Sequence, residues 1–484
     1  MKVAATLLLA LTISIACLAQ APPSDRQQFI RVEAPVIALT HVRVIDGTGA
    51  APLEDQTIVI SGGKIASIAP AAGAKVESTA QTLDLNGYTV LPGLVGMHDH
   101  MFFPMGGNPP MYSDMGISFP RLYLALGVTT IRTTGSVQPY LDLEIKKLID
   151  SGRMIGPKMH ITAPYLEGAG SFTPVMHTLT GADDARRMVN YWADEGATSL
   201  KAYMNITRDE LRAAVEEAHK RGLKVTGHLC SVGYREAAEI GIDNLEHGLL
   251  PDSEFVADKQ PDKCPGAAVS QSLRTLEVNS EPVKETIRTL VAKNVALTST
   301  LPVFEAGSPL ASAQAGPTAV GAPSAVLNPR MLNTMNNEAR LRYLTARSRI
   351  AADSPTPVLI RKSMEFERAF AAAGGLLIAG LDPTGNGGVV AGFGDLREVE
   401  LLVEAGFTPL EAIRIASLNG AKFLGQDRMI GSVAAGKQAD LMIVKGNPAA
   451  KISDIENVEI VFKDGVGYDS EKLIQSVQGL VGIR

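Results

Sequence analysis

His98 and His100 stand one residue apart in Pro92-Gly93-Leu94-Val95-Gly96-Met97-His98-Asp99-His100. The apolar run Tyr88 to Leu91 leads into them and predicts a buried strand. Side chains at i and i+2 of a strand point the same way, so the two imidazoles can converge on one point, as two ligands of one metal ion must. Two unrelated strand-end histidines would give the same pattern, so the pair needs partners from elsewhere in the chain. Asp99 points opposite to its neighbours and is expected to be a structural hydrogen-bonding residue.

The elements around the pair predict where partners would come from. From Pro92 onward short apolar strands alternate with amphipathic helices, the signature of parallel βα units. Eight strands are expected, at 88–98, 127–132, 157–163, 197–202, 223–228, 242–246, 295–299 and 376–381. Helices are expected at 182–195, 208–221, around 234–240 and at about 358–373. Eight such units suggest an α/β fold of the (β/α)8 TIM-barrel type over residues 92–425. Residues 28–91 read instead as hairpin-forming strands, with turns at Asp46-Gly47 and Ser61-Gly62-Gly63-Lys64. Strand texture returns over 426–484, so a small β-sandwich made from both chain ends is expected beside the barrel. The stretch from about Leu249 to Pro357 is long for two barrel units and includes an Ala/Gly/Pro/Ser-rich part, Ala306 to Pro323. It is either a cover over the barrel mouth or a surface insertion.

In a βα barrel, functional groups sit at the C-terminal ends of the strands. Those ends carry His98, His100, Lys201, His228, His247 and Asp382. Each has an ordinary reading by itself: a hydrogen-bonded core histidine, a lysine reaching solvent, an aspartate capping a helix before Pro383. Six together at one end of the predicted strands are hard to obtain by chance. His41, His160 and His219 read as structural.

With 484 residues, 45% hydrophobic and 20% charged, the chain is long enough for two folding units with a sizeable core. A formal net charge of −6, with no block of like charge, gives no indication of a nucleic-acid partner. Residues 1–19 read as a secretory signal: Lys2, an apolar run from Val3 to Leu18, and a cut after Ala19. That run falls short of the roughly 20 apolar residues of a membrane span. Cys17 offers a lipidated alternative, although Ser14 occupies a place usually held by a branched aliphatic residue. Export to the periplasm or medium, with no membrane attachment after signal removal, is the expectation. Cys230 and Cys264 then remain and can pair in an oxidising compartment, if the fold brings them together.

The motifs His98-Asp99-His100, Lys201, His228, Glu246-His247 and Leu381-Asp382 resemble the amidohydrolase superfamily, as do Ile45-Asp46-Gly47-Thr48-Gly49, Gly431…Ala439-Asp440-Leu441 and Thr408-Pro409-Leu410-Glu411-Ala412. Within it the chain is most similar to imidazolonepropionase-like and prolidase-like hydrolases. The resemblance implies two divalent metal ions, zinc foremost. His98, His100 and Asp382 would hold one, His228 and His247 the other, and Lys201 would bridge them as a carbamate made with carbon dioxide. It implies cleavage of C–N amide bonds in small molecules, of the dipeptide or N-acyl amino acid type. A bridging hydroxide would attack, and Asp382 would serve as general base and then acid. Mononuclear members lack the bridging lysine. A mononuclear cyclic-amide hydrolase or deaminase, and a non-catalytic binding protein on the same scaffold, are the alternatives. Candidate substrate-binding residues are Tyr203 for the carbonyl, His177 at the mouth, and Arg132 or Arg397 for a carboxylate. Leu381 and Arg397 depart from the residues many relatives carry there, which bears on substrate identity. A homo-oligomer built through the terminal β domain is a further expectation.

Overall fold

The structure is a computed structural model that describes residues 26–482, except 108–109 and 172–174. The expected signal at 1–19 lies outside the described residues. The N-terminal part contributes strands β1 (Ile30–Val32), β2 (Val36–Val44), β3 (Leu53–Ser61), β4 (Lys64–Pro70), β5 (Gln81–Asp84) and β6 (Tyr88–Pro92). Then follow β7 (Leu94–Gly96), the hairpin β8 (Phe102–Gly106) and β9 (Met111–Asp114), β10 (Val128–Arg132), β11 (Lys158–His160), β12 (Thr162–Leu166), β13 (Ser199–Ala202), β14 (Lys224–Gly227), β15 (Asn244–Glu246), β16 (Ala296–Ser299) and β17 (Leu377–Ala379). The C-terminal part adds β18 (Leu441–Lys445), β19 (Val458–Lys463) and β20 (Val466–Asp469).

The chain ends meet in one sheet of order β1-β20-β19-β18-β6-β2-β3-β4, with β5 paired to β2. Between them the chain is mixed α/β, with parallel sheets of order β11-β10-β7 and β12-β13-β14-β15-β16-β17. Helices Pro139–Asp150, Ala182–Glu195, Arg208–Lys220, Tyr234–Ile240, Glu281–Ala292 and Thr356–Ala372 separate successive strands. Their ends follow local chemistry. Thr207 and Glu210 form a reciprocal capping box at the start of Arg208–Lys220, and Gly196 and Gly241 end their helices in left-handed backbone.

Two expected strands are divided. The run 88–98 serves two sheets: β6 pairs with β18, Gly93 N–H donates to Asp440 O, and β7 then pairs with β10. Pro92 and Gly93 mark the hand-over. The run 157–163 breaks at Ile161, whose carbonyl accepts from Thr198 N–H, so β11 pairs with β10 and β12 with β13. Hydrogen bonds also join the edges of the two parallel sheets. Met97 N–H donates to Ala379 O (2.8 Å) and Asp382 N–H to His98 O (2.9 Å). On the other side Thr133 N–H donates to His160 O (2.9 Å), and Ser136 bridges Pro164 in parallel. Gly380 permits the first seam, because a Cβ there would lie 2.4 Å from His98 N. The stretch after β15 contains helices Ala267–Thr275, Glu281–Ala292, Leu301–Glu305, Pro329–Thr334 and Asn337–Ser348, while its Ala/Gly/Pro/Ser-rich part carries the short 3-10 turn Ala313–Ala315.

Candidate metal centre and active site

His98, His100, Lys201, His228, His247 and Asp382 line one cavity of about 540 Å³ at the C-terminal ends of the parallel strands. His98 and His100 follow β7, Lys201 lies in β13, His228 follows β14, His247 follows β15 and Asp382 follows β17. His247 and Asp382 have φ of 69° and 52°, left-handed values that non-glycine residues seldom adopt. Each carries the chain out of its strand. The Asp382 N–H bond to His98 O and the Gly248 N–H bond to Thr298 O hold those turns.

His98 Nε2 is 3.8 Å from Asp382 Oδ2, and His100 Nε2 is 3.5 Å from Asp382 Oδ1. Two ligands of a tetrahedral zinc, each about 2.0–2.2 Å from the ion, lie about 3.3 Å apart, so the three side chains fit a common ion. His98, His100 and Asp382 offer ligand atoms all within 4.8 Å of one another. The His98 and His247 ring centroids are 4.4 Å apart, and those of His247 and His228 are 4.5 Å apart.

The rings of His98, His100 and His247 are each oriented through the other nitrogen, as metal-binding imidazoles are. His98 Nδ1 lies 2.7 Å from Glu246 Oε2, His100 Nδ1 3.0 Å from Gly135 O, and His247 Nδ1 2.7 Å from Thr300 Oγ1. Burial, then the neighbouring Lys201, pushes His100 and His228 down to about 3. Burial likewise lowers His98 and His247, with further contributions from Lys201 and neighbouring imidazoles. All four therefore present neutral nitrogen lone pairs, the form that ligates metal. Lys201 is 1% exposed, and its Nζ has no hydrogen-bond partner among the described residues. Burial lowers it to about 8. A buried amine without partners is costly as a cation, and the neutral amine can add carbon dioxide. Asp382 is raised by burial to about 6, against the opposing hydrogen bond from Thr384 Oγ1 (2.8 Å).

The substrate-binding candidates divide. Tyr203 lines the cavity, its ring 5.0 Å from that of His228 and 4.9 Å from that of Tyr165. His177 faces away from it and pairs with Asp184 (3.1 Å), while its neighbour Met176 lines the wall. Arg132 is buried and donates to Met97 O, Asn244 Oδ1 and Glu246 Oε1. Arg397 is held by Glu305 (2.7 Å) and Glu400 (2.8 Å) away from the cavity. The carboxylate-binding expectation for both arginines is therefore corrected: each already has buried carboxylates as partners. Asp99 is fully buried with its carboxylate over Gly96, and burial and then Asp395 raise its pKa.

Sequence reasoning gave no role to Glu246, Thr300 or Arg342. Glu246 stood in view beside His247, but adjacent strand residues face opposite ways, which hid its reach to His98. Burial works against its charge, but Lys201, Arg132 and the Thr226 hydroxyl outweigh burial and lower its pKa. Arg342 lies on helix Asn337–Ser348, off the strand ends, and lines the cavity.

Residues 89–466 match the model of the amidohydrolase family. The chain belongs to that family. It is 30% identical over 240 residues to an uncharacterized protein of Mycobacterium tuberculosis (strain ATCC 25618 / H37Rv), covering 46% of this chain and 58% of the relative. The chain thus spans a little over half the length of that curated relative. Among solved structures, a molinate hydrolase superposes with a TM-score of 0.65 at 17% identity, covering 94% of this chain and 98% of the other. A Xaa-Pro dipeptidase with methionine bound in its active site gives 0.62 at 20% identity, covering 90% and 100%. At those identities the likeness establishes the shared fold.

Proposed function

We propose that this amidohydrolase-family chain is an exported binuclear metal-dependent hydrolase of C–N amide bonds in small molecules, of the dipeptide or N-acyl amino acid type. The observation that carries the reading is the buried Lys201 amine, unpartnered among the described residues and set within the cluster of His98, His100, His228, His247 and Asp382. His98, His100 and Asp382 would hold one ion, and His228 and His247 the other. As a neutral amine, Lys201 could add carbon dioxide through an N–C bond with loss of one proton, and the carbamate would serve as a ligand within the metal set. When bound, the two ions supply Lewis acidity and a nucleophile available near neutral pH.

The chain's own groups do the rest. The ionised Asp382 carboxylate takes the proton of the attacking water and returns it to the leaving nitrogen. Glu246 and Arg132 hold the His98 ring in one orientation. The Tyr203 hydroxyl, on the wall beside His228, orients the scissile carbonyl. Phe102, Tyr165, Val303 and Phe304 limit water around the reacting bond.

The fold reading belongs here too. The seam bonds from Met97 to Ala379 and from Thr133 to His160 support closure of the parallel strands into a (β/α)8 barrel. A shared core of Ile37, Leu39, Ile60, Val90, Leu441, Ile443, Ile460 and Phe462 supports a terminal sheet folded into a sandwich. The Cys230–Cys264 disulfide supports an oxidising compartment, in keeping with export. The test is incubation of the zinc-loaded protein with a library of dipeptides, N-acyl amino acids and lactams, with detection of released amine. Turnover within the first two classes is expected. Turnover confined to lactams, or none at all, would overturn the reading.

A further inference from the structure

We infer that Arg342 is the specificity-determining residue that binds a free carboxylate on the substrate, on the wall of the cavity that holds the proposed metal cluster. The inference rests on the hydrolase reading above and narrows its substrates to molecules carrying a carboxylate beside the cleaved amide.

The cavity wall outside the metal cluster is dominated by apolar and aromatic side chains, Phe102, Pro104, Val137, Met176, Val303 and Phe304 among them. Among the described lining residues, Arg342 carries the one permanent cation. It lies four residues before Ala346, which also lines the cavity, so one face of helix Asn337–Ser348 forms this part of the wall. The two ends of its guanidinium are in different situations. Nη2 pairs with Glu338 (2.8 Å), whose side chain is 62% exposed. Nη1 is buried and has no hydrogen-bond partner among the described residues.

Gly106, at the end of β8, makes room for that buried nitrogen. It also lines the cavity, has φ of +72°, and a Cβ on it would lie 2.6 Å from Arg342 Nη1. A side chain at 106 would therefore push the guanidinium out. A buried N–H donor without an acceptor is unfavourable by about 1–3 kcal/mol, and more for a charged group, so this one awaits an anion. Nη1 is covered at Gly106, so a carboxylate entering the cavity meets it when the part-exposed guanidinium turns away from Gly106, and the charge-assisted bond formed then replaces or joins the solvent-facing Glu338 contact. Arg132 and Arg397 cannot compete, since buried glutamates already occupy them.

The test separates binding from turnover. N-methanesulfonyl-L-phenylalanine keeps the carboxylate but has no cleavable amide; its primary carboxamide lacks the charge. Both are titrated calorimetrically into the zinc-loaded full-length protein and its variants. The acid is expected to bind wild type at least tenfold tighter than the carboxamide. Arg342→Met should bring the ratio near one, Arg342→Lys should keep part of it, and Glu338→Gln should leave it intact. A ratio near one in wild type, or one unchanged by Arg342→Met, overturns the inference, as does a Glu338→Gln loss equal to that of Arg342→Met. Hydrolysis of N-acetyl-L-phenylalanine and its carboxamide is followed in parallel. Turnover of both at equal kcat/KM sinks the carboxylate inference and leaves the hydrolase reading standing. Acid-selective binding without hydrolysis of any amide does the reverse.

Discussion

Asp382 occupies a left-handed turn, faces two imidazoles, and has its proton affinity raised by burial to about 6. An Asp382→Asn variant keeps the shape but can neither take nor return a proton. Its kcat on an N-acyl amino acid should fall by about 10²–10⁴, read by steady-state kinetics. Lys201 makes a different prediction. Lys201→Ala removes the proposed bridge, so plasma mass spectrometry should find fewer than two metal ions per chain, together with lost activity. Glu246 acts at one remove. Glu246→Gln retains a hydrogen-bonding partner for His98 Nδ1 but leaves Arg132 without its buried counter-charge. Metal affinity should fall about 10–100-fold in equilibrium dialysis. That Tyr203 and the six proposed ligands line one cavity was legible, because strand periodicity places side chains in space without any knowledge of packing. His177, Arg132 and Arg397 were not, because the partner of an ionisable side chain is set by contacts distant in sequence. Arg132 meets Glu246 across 114 positions, and Arg397 meets Glu305 across 92.

Strands and helices fared according to how local their causes are. Helices Ala182–Glu195 and Tyr234–Ile240 stand where the sequence pattern placed them. Strand ends at Pro92 and Ile161 were hidden, because the change of partner sheet depends on β18 and β13, far along the chain. The segment after His228 shows what such tertiary links do. Cys230 and Cys264 are joined with Cα atoms 4.8 Å apart, closing a loop across 34 positions, and the Ser253 hydroxyl donates to Cys230 O. Chain-entropy reasoning gives such a crosslink about 3.8 kcal/mol of stability. A Cys230→Ser/Cys264→Ser variant should show that loss in denaturant unfolding. The bond anchors the chain two residues beyond His228, so the variant's metal content at limiting zinc should fall as well.

Across the whole molecule, carboxylates buried beneath the site link stability to pH. Glu367 accepts from Ser299 and Ser363, yet burial raises it to about 7. A carboxyl whose folded pKa is raised favours the fold while protonated. Its contribution is full below about 4.5 and is lost as pH rises through about 7, on the order of 3 kcal/mol in all. Thermal unfolding between pH 5 and pH 8 should therefore show a smaller decline for Glu367→Gln than for wild type. An equal decline would place the titrating group elsewhere.

The central claim, that two ions held by this ligand set drive amide hydrolysis, meets its most direct test in a metal titration. The chelator-stripped protein receives zinc in fractions of an equivalent, with bicarbonate present, and amine release from a cleaved N-acyl amino acid is recorded at each addition. Activity is predicted to keep rising until two equivalents per chain have been added. Full activity at one equivalent, or none at any loading, would contradict it.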